Sequence, residues 1–239
     1  MKNLTIYPRL FAFIALGFVL ATIVGTVSHE MGHIAVAKSL GYKTKLYYAS
    51  MNYNFEEKLD SLEAYHDKHK SAIYAKQDSP EKTYFKKAYE QIGKERYYIN
   101  WGGPAQTMIV GTFGFIMLWL RRKKITEYGM KVADWIFAII AFFWSRQLFN
   151  FLHLIFDYIG SKGTNLSTRG DEVKISRYLR LPLPTVNVIT ATIAIILLVW
   201  VVFIIIPKSK RLTFIISGLG GSALGWMIWM YWMGPVLLP

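Results

Sequence analysis

The sequence predicts an all-α polytopic membrane protein of about five transmembrane helices, with a small strand or hairpin and a helical interfacial insertion between the first and second. Three observations carry this. Of the 239 residues 53% are hydrophobic and only 18% charged, against roughly 45–50% and about 25% in ordinary soluble domains. The apolar residues gather into long blocks, several of which reach the ~20 residues that a bilayer crossing needs. The charges fall in the gaps between those blocks.

The blocks are Leu10–Lys38, Ile99–Leu120, Ala133–Phe156, Val186–Ile206 and Leu212–Met233. Lys2 and Arg9 ahead of the first resemble a signal peptide. That block is too long for a signal sequence, however, and its helical pattern continues past His29 and His33 to Lys38, with Gly41 as a stop. Four segments follow: 1–41 with the first span, a polar insertion over 42–98, spans two and three with their following loop over 99–182, and spans four and five over 183–239. In the insertion, Tyr42 to Tyr53 is rich in aromatics with partial alternation and reads as a strand or hairpin. Leu59, Leu62, Tyr65 and Ile73 then give a weak helical stripe, and Asp78-Ser79-Pro80-Glu81 has the residue types of a helix start. A segment of this length is too short for a core of its own and is expected to lie on the membrane. Gly221 and Gly225 are spaced for close helix packing, and the Trp226–Trp232 cluster reads as an interfacial belt.

The excess of 28 Lys+Arg over 15 Asp+Glu forms no single basic face. Arg121–Lys124 and Lys208–Arg211 flank apolar blocks, where they act as interface and topology signals, so nucleic acid is excluded and the bilayer is the expected partner. These clusters and the N-terminus share one side, which the positive-inside rule would place in the cytoplasm. A multi-pass protein of a bacterial-type cytoplasmic membrane is expected, with its orientation open. The chain has no cysteine, so any metal must be held by His, Asp or Glu.

His29-Glu30-Met31-Gly32-His33 is the sharpest feature. On a helix, residues four apart differ by about 40° of rotation and one turn of rise, so both imidazoles aim at one spot with Glu30 beside them. Two zinc ligands and a general base for water need that arrangement. The pattern arises by chance in a chain this long on the order of 1% of the time, and ionisable groups at membrane depth are functional candidates by default. A third protein ligand is needed. Polar residues gather where spans two and three reach the same side: Asn100-Trp101-Gly102-Gly103-Pro104, the helical face of Arg146, Asn150, His153 and Asp157, and Asp171-Glu172 behind Gly170. His66 and His69 read as solvated decoration of a polar helix.

With these residues in order, the chain resembles the site-2 protease family of intramembrane zinc metalloproteases. The matching pieces are HEMGH in the first helix, an extended segment, Gly102-Gly103-Pro104 opening the next helix, and an Asn-bearing third helix followed by an acidic residue. They run over roughly 10–182 and leave spans four and five as additions. The resemblance implies that His29 and His33 bind Zn2+, that Glu30 is the catalytic base, and that Asn150 binds substrate backbone or steadies the reacting carbonyl. The third ligand departs from the family pattern, because Asn150 is followed by His153 where a proline is usual and Asp157 by Tyr158 where a glycine is. Asp171 is favoured by its likeness to the family's Asp-Gly segment; Asp157 is its rival, with His153 behind.

The expected activity is a zinc metalloendopeptidase cleaving membrane-embedded protein substrates. A zinc hydrolase of lipids or other amphiphiles, and a non-proteolytic zinc-binding scaffold or regulator, are the alternatives. Substrate, pathway and oligomeric state are not legible in the sequence.

Overall fold

The structure is a computed structural model, and it describes residues 6–164 and 166–239. Lys2, counted above among the basic N-terminal residues, lies outside them. Among the described residues the chain is mostly helical, with five helical stretches long and apolar enough to cross a membrane and one two-stranded sheet. In order these are α1 (Pro8–Ser39), β1 (Thr44–Leu46), β2 (Met51–Tyr53), α2 (Phe55–Lys68), α3 (Lys70–Tyr74) and α4 (Pro80–Tyr128). There follow α5 (Val132–Ala141), α6 (Ser145–Gly160), α7 (Asp171–Tyr178), α8 (Thr185–Trp200), α9 (Arg211–Met227) and α10 (Gly234–Leu237).

Helix α1 starts with proline in its first turn and ends where Gly41 takes φ +85°. It packs most extensively against α9 and α4. Against α9 the contact is backbone to backbone, since a Cβ on Gly221 or Gly225 would press on the main chain of Ala15 or Val19. Phe18, Phe142, Phe214 and Trp135 form the aromatic centre of the main core between α1, α5 and α9.

The expected second span, Ile99–Leu120, is the middle of a 49-residue helix. At about 1.5 Å per residue it is ~73 Å long, more than twice the ~30 Å hydrocarbon thickness. Its N-terminus is the one read from sequence: the Ser79 hydroxyl accepts from the Lys82 N–H at 3.1 Å, and Pro80 fills the first turn. The helix continues through Tyr98, joining the polar insertion to the span. It also continues through Arg121–Lys124, expected as a loop, because arginine and lysine are good helix formers and the first breaker beyond them is Gly129 at φ +78°. The third stretch, Val132–Gly160, is interrupted by a 3-10 turn at Phe142–Trp144 that separates α5 from α6.

The hairpin pairs Thr44 with Tyr53, Lys45 with Asn52 and Leu46 with Met51. Its turn is fastened to the far end of the chain: the Tyr48 N–H donates to Leu238 O at 2.9 Å, and the buried Trp229 indole donates to Tyr48 O at 2.7 Å. Behind the hairpin, the Tyr42 hydroxyl donates to Glu95 at 2.5 Å, which ties the insertion to α4. Burial pushes the Tyr42 phenol above its ordinary range, and the Glu95 carboxylate reinforces the shift.

Candidate metal centre

His29 and His33 lie on the face of α1 turned toward α4, at 1% and 6% exposure, while Met31 faces outward. Gly32 allows this. A Cβ on Gly32 would overlap the carbonyl of Gly102, and a Cβ on Gly102 would overlap that of Gly32. The two main chains therefore touch at this level, as only glycines permit.

Close approach brings each imidazole Nδ1 to an acceptor on α4. His33 Nδ1 is 2.6 Å from the carbonyl oxygen of Ile99. The Gly103 N–H lies 3.2 Å from the same nitrogen, but the shorter contact is to an oxygen that carries no hydrogen, so the proton is on Nδ1 and donates to Ile99. His29 Nδ1 is 2.9 Å from Thr107 Oγ1, whose hydroxyl donates to Gly103 O at 3.1 Å, leaving a lone pair for the imidazole N–H. Both rings are thereby set with Nε2 as a lone-pair donor, the tautomer that metal ligation requires.

The two Nε2 atoms face Asp171 Oδ2 at 3.2 Å from His29 and 3.1 Å from His33, and the three ligand atoms lie within 4.8 Å of one another. Two lone pairs and a carboxylate oxygen converging on one point repel unless a proton or a metal cation sits among them. With metal–ligand bonds of about 2.0–2.1 Å, a tetrahedral zinc site has ligand atoms about 3.3 Å apart, close to the two His–Asp separations. Gly103 lines the same point, since a Cβ there would collide with Nε2 of both histidines. The donor set could hold a metal ion.

Asp171 is the first residue of α7, entered through Gly170 at φ +94°. Neighbours hold that short helix in place. Asn150 Nδ2 donates to both oxygens of Glu172 at 3.0 and 3.3 Å; Ser176 Oγ accepts from the Val186 N–H at 3.1 Å; and Tyr178 stacks on Tyr97 at 4.3 Å. Burial acts to raise the Asp171 carboxyl; when the imidazoles beside it carry a proton on Nε2, their hydrogen bonds and charge outweigh burial and hold it well below the usual carboxylate range. Glu172, 1% exposed, is pushed up by burial. Lys174 lies 3.7 Å from the other Asp171 oxygen.

Glu30, at 7% exposure, sits beside the cluster with Arg146, Asp171 and His33 as charged neighbours. Asp157 and His153 are elsewhere: they pair with each other at 3.3 Å on the more exposed part of α6. Asn150 directs its amide N–H group to Glu172. His66 pairs with the exposed Asp67 at 3.1 Å.

The sequence reading named Glu172 beside Asp171 but not its bond to Asn150, and it missed Thr107 and the Ile99 carbonyl behind the histidines. The spacing of Thr107 one turn after Gly103 was an available signal; a backbone carbonyl leaves none. No protein-family model, curated protein or solved structure matches this chain.

Proposed function

We propose that the chain is an intramembrane zinc endopeptidase of the site-2 protease type. The reading is carried by the convergence of His29, His33 and Asp171 with both Nδ1 protons committed to α4, beside the buried Glu30. Zinc bound there supplies a Lewis acid that polarises a carbonyl oxygen and acidifies water.

The chain's own residues do the rest. Glu30 takes the proton of the attacking water and returns it to the leaving amine. His33 and His29 keep their orientation through Ile99 and Thr107, and Asp171 keeps its own through α7. Asn150 steadies α7 through Glu172.

A membrane setting is supported by apolar stripes left exposed on the bundle, such as Leu16, Leu20 and Val24 on α1 and Ile109, Phe113 and Ile116 on α4. A helical substrate in lipid hides its peptide bonds in its own hydrogen bonds and must unwind to be cut. The sheet has only two strands, so a free edge remains to hold an extended segment by strand addition. A shallow groove lined by Val36, Leu40, Tyr98, Trp101 and Ala105 opens beside Gly102.

The test is Glu30→Gln assayed with a transmembrane peptide in lipid vesicles. Cleavage should fall by three orders of magnitude or so, with zinc content unchanged. Full activity in the variant sinks the assignment, and wild-type cleavage of lipids without cleavage of peptides replaces the protease with a lipid hydrolase.

A further inference from the structure

Arg146 belongs to no ligand set or proton pathway described above, yet it stands within the field of the site. It lies on the first turn of α6, one turn before Asn150, whose amide reaches Glu172, and the carboxylates whose charge acts on it are Glu30, Asp171 and Glu172. Its Nε is shut off from solvent and has no hydrogen-bond partner. None of the three carboxylates forms an ion pair with it among the described residues: Asp171 pairs with the histidines and Lys174, and Glu172 is bonded by Asn150. Arg121 of α4 shows the contrast. It directs Nε and one terminal nitrogen at the two oxygens of the buried Asp134.

A guanidinium has five N–H donors in a planar fork that matches an oxyanion with two oxygens. Arg146 is only partly buried, but leaving its Nε closed to solvent and unpaired is costly at membrane depth, so a site that keeps such a donor has a use for it when occupied. Charge points the same way. With a divalent cation among the ligands, the cation, Arg146 and Lys174 together exceed the carboxylates of Glu30, Asp171 and Glu172 by a single positive charge. The site is balanced by one more anion.

We propose that Arg146 and the metal position together form an oxyanion-binding subsite, which takes the oxygen that becomes negative when a substrate carbonyl is attacked. The inference rests on the metal-centre reading. Arg146 donates to that oxygen from the α6 side, opposite to Glu30's role with water, and it acts by binding the anion and not by proton transfer.

The test uses inorganic phosphate as the probe and the full-length chain loaded with cobalt(II), freed of excess metal, with phosphate affinity followed by the cobalt absorption bands. Arg146→Gln should weaken phosphate binding at least tenfold with metal stoichiometry unchanged. Arg146→Lys, which keeps the charge and loses the fork, should fall between the two. A merely charge-neutralising arginine would leave Arg146→Lys at wild-type affinity, and that result overturns the proposal, as does equal phosphate affinity in Arg146→Gln or no phosphate binding by the loaded wild type. Failure of the wild-type chain to take up one metal ion overturns the metal-centre reading beneath it, and this inference with it.

Discussion

His33 Nδ1 lies 2.6 Å from the carbonyl oxygen of Ile99, in the turn of α4 that Pro104 loosens. Proline has no N–H, so the carbonyl four residues before it, on Asn100, has no helical donor, and the backbone around it is free to adapt. The adjoining Ile99 carbonyl serves the imidazole. The Gly102-Gly103-Pro104 segment thus acts in three ways. It permits the main-chain contact with α1, leaves space at the ligand atoms and loosens the turn whose Ile99 carbonyl accepts from His33.

Thr107 does for His29 what Ile99 does for His33. Thr107→Val keeps the shape of the side chain and removes the acceptor for His29 Nδ1. Zinc affinity should fall about 10- to 100-fold, the usual effect of losing a group that orients a metal ligand, with little change in thermal stability of the metal-free protein. Competition with a chelator measures it; an affinity equal to wild type would show that Thr107 does not set the ring.

Gly103→Ala places a methyl group where the two Nε2 atoms converge. Zinc stoichiometry should drop well below one per chain. Gly93 lies in the same helix, and a Cβ there meets only a Tyr178 ring carbon at 3.8 Å, so Gly93→Ala should keep full zinc and gain up to about 1 kcal/mol in stability from helix propensity. Metal analysis and thermal unfolding of the two variants separate the steric effect from a general intolerance of alanine in α4.

Acidification should release metal through the imidazoles and not through Asp171. A carboxyl held below its usual range contributes stability that is present above its unfolded value of about 3.9 and is lost only as pH falls through the lower folded value. Asp171 therefore stays charged from pH 5 to 8, whereas the histidines must lose their protons to bind. Zinc affinity should fall with decreasing pH, approaching about two log units per pH unit at the acid end. Asp171→Asn should lower zinc affinity across the whole range, and an affinity equal to wild type would show that the aspartate does not bind the metal.

Much of the architecture could be read from residue patterns because helices long enough to cross a bilayer announce themselves by apolar length alone. The His29–His33 pair was legible for a similar local reason, since four residues of helix fix their common direction. The ends of α4 were not, because Arg121–Lys124 looks like a loop by charge while its backbone propensity is helical. The neighbours of Asp171 were hidden for a different reason. They meet across α1, α4, α6 and α7, and the positions of those helices depend on contacts such as Gly32 on Gly102 that no local periodicity reveals.

The central claim is that Asp171 completes a zinc site with His29 and His33. Zinc stoichiometry of the purified chain, compared with that of Asp171→Ala and Asp157→Ala, tests it most directly. One zinc per chain is expected in the wild type and in Asp157→Ala, with loss of most of it in Asp171→Ala. Full zinc in Asp171→Ala with loss in Asp157→Ala would contradict it.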